Sequence, residues 1–63
     1  IKSKPIIIKN DVFIGVNSII LKGVEIGNGV IIGAGSVVTM NKIPSNVIVA
    51  GNPAKIVKKV NYG

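Results

Sequence analysis

The chain has 63 residues, carries a net charge of +6 from eight lysines against Asp11 and Glu25, and contains neither cysteine nor histidine. That length allows one domain at most, and the missing residue types exclude a disulfide framework, thiolate chemistry, a histidine-based triad and a histidine metal site. No apolar run approaches the ~18 residues of a membrane helix, and two aromatics, Phe13 and Tyr62, are too few for the stacking platforms of a nucleic-acid reader.

Taken in order, Ile1 to Lys4 is mostly polar, and Pro5 suits the first position of a strand. Ile6-Ile7-Ile8 reads as a strand, Asn10-Asp11 as a corner, and Val12-Phe13-Ile14 as the next strand with Phe13 facing outward. Gly15 to Asn17 form a corner before Ser18-Ile19-Ile20, and Lys22-Gly23 turns the chain into Val24-Glu25-Ile26. Asn28-Gly29 is a turn dipeptide that tolerates positive φ, and Val30-Ile31-Ile32 and Ser36-Val37-Val38 follow as strands. At Lys42 the repeat would place a charge inward, and an unpaired lysine is almost never fully buried, so the regular coil is expected to end near Val38. Pro44-Ser45-Asn46 reads as a loop, Val47-Ile48-Val49-Ala50 as one further strand and Gly51-Asn52-Pro53 as a turn. Ala54–Val60 is expected to be a short helix, with Ile56, Val57 and Val60 inward and Lys55, Lys58 and Lys59 facing water or a ligand.

The organising feature is a period of six. An aliphatic residue returns as Ile8, Ile14, Ile20, Ile26, Ile32 and Val38, and a small or branched residue stands two places before most of them, as Val12, Ser18, Val24, Val30 and Ser36. A helix turns about 100° per residue, so six residues rotate it about 240° net and scatter the lead residues over three faces. A strand alternates with period two, so Val12/Ile14, Ser18/Ile20, Val24/Ile26, Val30/Ile32 and Ser36/Val38 each point one way. Short strand, corner, short strand, corner describes a parallel β-coil, of which hexapeptide repeats are the signature. Three repeats to a coil would stack Ile8 on Ile26, Ile14 on Ile32, Ile20 on Val38, Val12 on Val30 and Ser18 on Ser36. Each such burial contributes about 1.5–3 kcal/mol against a backbone ordering cost of similar total size.

The predicted fold is all-β: one segment over 1–63, with coils over about 6–43 and a carboxy-terminal extension over 44–63. A domain this small buries only about 60% of its unfolded surface, and the strand edges near residues 6–8 are bare. The expectation is a piece of a longer chain, or one that stands only within an oligomer.

Three stretches sharpen the repeat: Phe13-Ile14-Gly15; Ile32-Gly33-Ala34-Gly35-Ser36-Val37-Val38-Thr39; and Ile43-Pro44-Ser45-Asn46 through Gly51-Asn52-Pro53-Ala54-Lys55. Together they resemble the carboxy-terminal part of the hexapeptide-repeat O-acetyltransferases of the maltose, galactoside and xenobiotic type. The resemblance implies a left-handed parallel β-helix, the known exception to right-handed crossovers. It implies transfer of an acetyl group from acetyl-CoA to a hydroxyl of a sugar-like acceptor by a cytoplasmic homotrimer, with the cofactor in a cleft between adjacent subunits. The absence of cysteine suits the cytoplasm. In such relatives the catalytic histidine and most acceptor contacts lie upstream of the matched segment, so no catalytic residue and no metal ligand is assigned here.

The resemblance implies cofactor contacts at Val16, Ala34, Thr39, Met40, Lys55 and Lys58. Ala34, between Gly33 and Gly35, matches a corner whose backbone meets the pantetheine arm, and exposed backbone beside small side chains can receive an extended amide chain. Thr39 matches the next contact. Val16 stands where some relatives have serine, which leaves only its backbone to contact the cofactor. Met40 occupies a lysine position of the family, so Lys42 is expected to replace that charge; Met40-Asn41-Lys42 is one residue longer than the relatives' Lys-Asp. Lys55 and Lys58 match arginines near the nucleotide end of CoA, where a lysine supplies a point charge rather than a bidentate fork. Phe13 replaces a tryptophan, as cofactor wall or as subunit packing.

Other readings fit less of the chain. Gly33-Ala34-Gly35 lacks the third glycine and the following helix of a dinucleotide fingerprint. A related zinc-dependent carbonic anhydrase type needs several histidines. A non-catalytic trimerising β-helix module remains the alternative, since many enzymes carry such coils chiefly to assemble.

Overall fold

The computed structural model describes residues 5–61. Seven two-residue strands come first: β1 Ile7–Ile8, β2 Phe13–Ile14, β3 Ile19–Ile20, β4 Glu25–Ile26, β5 Ile31–Ile32, β6 Val37–Val38 and β7 Lys42–Ile43. Two longer strands follow, β8 Val47–Gly51 and β9 Ala54–Lys59. The polar lead-in Ile1 to Lys4 and Tyr62 lie outside the described residues. No helix among the described residues is long and apolar enough to cross a membrane.

Consecutive strands of the coil do not pair with each other. β1 pairs with β4 and β4 with β7; β2 pairs with β5 and β5 with β8; β3 pairs with β6, all in parallel. The chain therefore climbs as a three-sided coil. Its first face is β1, β4 and β7; its second is β2, β5, β8 and the added β9; its third is β3 and β6.

The register realises the expected columns, with Ile8 opposite Ile26, Ile14 opposite Ile32 and Ile20 opposite Val38. Ile26, Ile32, Val38 and Val49 are fully buried, and Val24, Val30 and Val47 fill the second inward position. Ser36 is the buried polar member of that column. Its hydroxyl donates to the Gly33 carbonyl at 2.6 Å, and Ser18 donates to the same oxygen at 3.0 Å, which removes the cost of an unsatisfied buried hydroxyl. The first coil shows what stacking supplies: Ile8 and Ile14 are 46% and 38% exposed, while Ile26 and Ile32, one coil later in the same slots, are 0% exposed.

The coil does not end near Val38. Three residues separate Val38 from Lys42, where four separate Ile20 from Glu25 at the same corner. This one-residue shortening resets the register, so Ile43 rather than residue 44 lies opposite Ile26 and is buried. Lys42 lies opposite Glu25 on the outer side and is exposed. No charge enters the core, and the coil continues through β8, whose Val47 and Val49 point inward.

The expected helix over Ala54–Val60 is also corrected: Ala54–Lys59 is strand β9, antiparallel to β8. Seven residues make a marginal helix in water. The alternative satisfies the open edge of β8 with a full ladder, and the turn at Gly51, with φ +107°, and a cis Asn52–Pro53 bond reverse the chain. Ile56 and Val57, expected inward, are 47% and 65% exposed.

Candidate functional site

Two stacked turns build the corner between the second and third faces: Gly15-Val16-Asn17 and, one coil later, Gly33-Ala34-Gly35. Asn17 and Gly35 hold the left-handed conformation, with φ +59° and +70°. The turns are clamped together by the Gly35 N–H, which donates to the Val16 carbonyl at 2.9 Å. Gly15 is obligatory because a Cβ there would lie 2.5 Å from the Ala34 nitrogen. At Gly35 a Cβ would meet nothing within 4 Å, so the outside of the corner is open. Val16 is 74% exposed and Ala34 is exposed. The corner thus presents accessible backbone beside small side chains.

Lys55 and Lys58 reach the neighbouring face through a bulge. Three residues apart, they would sit on opposite sides of a regular strand. The ladder pairs Val49 with Ile56 and Ile48 with Lys58, so Val57 is an extra residue and the alternation flips. Lys55 lies opposite Ala50 and Lys58 opposite Ile48, both partners on the outer side of the second face. Ala50 in turn abuts Gly33, whose added Cβ would be 3.1 Å from the Ala50 Cβ. Ala34, Gly33, Ala50 and Lys55 form a continuous path from the corner to the lysines.

The remaining expected contacts lie elsewhere. Thr39 is exposed beyond β6, at the far edge of the third face, and Met40 is half-buried with its side chain packed against the core. Within one chain, Val16, Ala34, Lys55 and Lys58 belong to one region, and the third face separates Thr39 and Met40 from it. Ala50 was not singled out in the sequence; its signal was a small residue on the outer side of β8, spaced from Gly33 by the shortened coil.

The carboxylates make no acid/base pair. Glu25 meets Lys9 at 3.5 Å on the first face, and Asp11 sits in the turn between the first and second faces. Among the described residues no group of three potential ligands is placed to hold a metal. Asp11, Asn28, Gly29 and Asn46 line an open groove of about 430 Å³ on the corner between the first and second faces. Its polar groups join successive coils: the Asn10 N–H donates to Asn28 Oδ1 at 2.9 Å, and the Asn28 N–H to Ser45 Oγ at 3.0 Å. This groove is a structural ladder away from Ala34, and its Asn46 borders the end of β9, where the Asn46 carbonyl accepts from the Val60 N–H at 2.7 Å.

Residues 5–39, more than half of the chain, match the family described as bacterial transferase hexapeptide (six repeats). The chain belongs to that family. Its three-sided coil is a left-handed parallel β-helix. A curated relative, the 2,3,4,5-tetrahydropyridine-2,6-dicarboxylate N-acetyltransferase of Clostridium perfringens, is 54% identical over 57 residues, covering 90% of this chain and 24% of that protein. Among solved structures, the hexapeptide-repeat acetyltransferase of Vibrio cholerae, complexed with acetyl coenzyme A, superposes with a TM-score of 0.88 at 41% identity, covering 92% of this chain and 31% of that one. The maltose O-acetyltransferase of Clostridium difficile 630 superposes with a TM-score of 0.87 at 46% identity, covering 92% and 30%. The chain spans about a quarter of the length of the curated relatives it matches.

Proposed function

We propose that this chain is the carboxy-terminal part of an acetyltransferase that uses acetyl-CoA, and that it supplies part of the cofactor cleft. The observation that carries this reading is the close similarity, over nearly the whole chain, to a protein solved with acetyl coenzyme A bound. The open corner at Val16 and Ala34 suits the pantetheine arm, held by backbone groups. Lys55 and Lys58, brought to one side by the bulge, suit the phosphates. Thr39 and Met40 sit across the third face, so their contacts belong to the backbone or to a neighbouring copy's cofactor. The assembly is a homotrimer with the cleft between copies.

The proposed reaction is direct transfer to a hydroxyl of a sugar-like acceptor. A base on a segment upstream of this one removes the hydroxyl proton, the oxygen attacks the thioester carbonyl, and CoA leaves as the thiolate. The likeness to the maltose O-acetyltransferase supports a hydroxyl acceptor. The 54% identity to an N-acetyltransferase supports a second reading, in which the acceptor is an amine on a dicarboxylate. Release of CoA thiol by the intact protein, measured with maltose and with an amino dicarboxylate in parallel, separates the two. Turnover with the sugar alone is expected; turnover with the amine alone replaces the acceptor. Binding of acetyl-CoA without turnover on either, in a protein whose upstream coils lack histidine, would leave a non-catalytic trimerising module.

A further inference from the structure

Among the asparagines of the sequence, Asn28 alone is followed by glycine. Glycine has no side chain to shield its nitrogen, so an Asn–Gly pair is the most open to attack of the following backbone nitrogen on the asparagine Cγ. That attack needs an asparagine side chain free to turn, a glycine nitrogen able to lose its proton, and water to complete the reaction. Water is at hand, because Asn28 is exposed and lines the open groove of about 430 Å³ with Asp11, Gly29 and Asn46. The stacked coil denies the other two. Asn28 Oδ1 accepts from the Asn10 N–H at 2.9 Å, which fixes the side chain. The Gly29 N–H donates to the Asn10 carbonyl at 2.9 Å, and Gly29 is itself buried, which keeps its proton from solvent base. From the coil above, the Asn46 N–H donates to the Asn28 carbonyl at 2.8 Å, and Ser45 Oγ accepts from the Asn28 N–H at 3.0 Å. Gly27 permits this last bond, since a Cβ there would lie 2.7 Å from Ser45 Oγ.

We infer that Asn28–Gly29 is a self-modification site, held unreactive by the hydrogen-bond ladder of the stacked coils and converted when that ladder opens. In the first step the Gly29 nitrogen, its proton taken up by solvent base, attacks the Asn28 Cγ. A Cγ–N bond forms, the Cγ–Nδ2 bond breaks, and the side-chain nitrogen leaves as ammonia with that proton, which closes a five-membered imide. Water then opens one of the two imide carbonyls. Opening at the side-chain carbonyl leaves an aspartyl residue; opening at the backbone carbonyl leaves an isoaspartyl link, in which the chain runs through Cβ and Cγ. Water is the only co-reactant. The inference stands apart from acetyl transfer and requires nothing of it.

The two products differ in what they do to the fold. An aspartyl carboxylate keeps an oxygen for the Asn10 N–H and leaves the length of the backbone unchanged. The isoaspartyl link adds one carbon to the chain between Ile26 and Ile32, which are fully buried in successive strands. It also falls at the turn where Gly29 holds φ +65°. A longer corner cannot present both isoleucines inward, because side-chain direction along a strand follows its register. Conversion therefore runs one way: an open ladder permits the isoaspartyl link, and the link keeps the ladder open.

The intact protein is incubated in mildly alkaline buffer, folded and in urea, and the peptide carrying residue 28 is followed by mass spectrometry. The mass registers the exchange of the amide for a carboxyl, and chromatography separates the isoaspartyl form. Folded protein is expected to convert at least about tenfold more slowly than protein in urea, since hydrogen bonds must break before attack. Ser45→Ala, at an exposed position, removes the acceptor of the Asn28 N–H. Val12→Ala loosens the first coil where Val12 packs against the core. Each is expected to convert about threefold to tenfold faster than the folded wild type, the scale of one hydrogen bond, with the circular-dichroism spectrum of strands retained. Val57→Ala, exposed on β9, is expected at the wild-type rate. Equal rates folded and in urea overturn the protection. Wild-type rates in both Ser45→Ala and Val12→Ala, or an equal rise in Val57→Ala, overturn control by the ladder. Should Val12→Ala lose its fold, the comparison of Ser45→Ala with Val57→Ala decides.

Discussion

At the scale of single residues, the spacing of the sequence carries most of the core, but it does not say why particular positions are glycine. Gly15 and Gly35 both stand in the turns of one corner and differ in cause. Gly15 is held by close approach, since a Cβ would strike the Ala34 backbone at 2.5 Å. Gly35 is held by conformation alone, with φ +70° and open space outside. In the intact protein Gly15→Ala is expected to cost about 1–3 kcal/mol or more, as overpacking against backbone does. Gly35→Ala is expected to cost about 1–2 kcal/mol from the left-handed conformation, and Gly35→Asn less, because Asn17 holds the equivalent turn one coil earlier. Thermal midpoints should fall furthest for Gly15→Ala. A larger fall for Gly35→Ala would mean that the two coils are not clamped at this corner. Such contacts join residues far apart in sequence, so a local pattern cannot show them.

At the scale of elements, the strands of the first two coils were legible because their inward pairs are local and strictly spaced. Two features were not. The shortened turn before Lys42 shows in the sequence only as a mismatch, and a mismatch reads equally as the end of the coil. The strand at Ala54–Lys59 depends on an open edge at β8, and that edge exists only because the coil continues through β7. Both features follow from that one shortened turn. The bulge at Val57, which gathers Lys55 and Lys58, has no signature in the residues themselves. The register reset is testable by exchanging apolar and charged residues across it. Lys42→Ile, on the exposed side, is expected within about 0.5 kcal/mol of wild type. Ile43→Lys, which drives a charge among Ile26, Val24 and Val47, is expected to leave the protein insoluble or unfolded. Tolerance of Ile43→Lys together with failure of Lys42→Ile would show that the register of β7 is the unbroken one.

At the scale of the whole molecule, the positive charge divides into two groups. Lys9, Lys22 and Lys42 belong to the first face and its corners, where Lys9 has Glu25 beside it. Lys55, Lys58 and Lys59 stand together on β9, and no carboxylate is paired with them among the described residues. A cluster of exposed lysines attracts a multiply charged anion by a Coulomb term that salt screens, with a Debye length of about 10 Å at 0.1 M and about 3 Å at 1 M. CoA carries its charge on phosphates at one end, and pantetheine, its other end, carries none. Replacing Lys55 and Lys58 together by glutamine is therefore expected to weaken CoA binding to the intact protein about threefold to tenfold at low salt, the scale of two exposed charge contacts. Calorimetry should show that deficit shrink toward nothing as salt rises to 1 M, while affinity for pantetheine is the same in both proteins at every salt concentration. An equal loss for pantetheine would mean that the lysines act by holding β9 in place. Unchanged CoA affinity would remove them from the site and leave the apolar corner as this chain's whole contribution to the cleft.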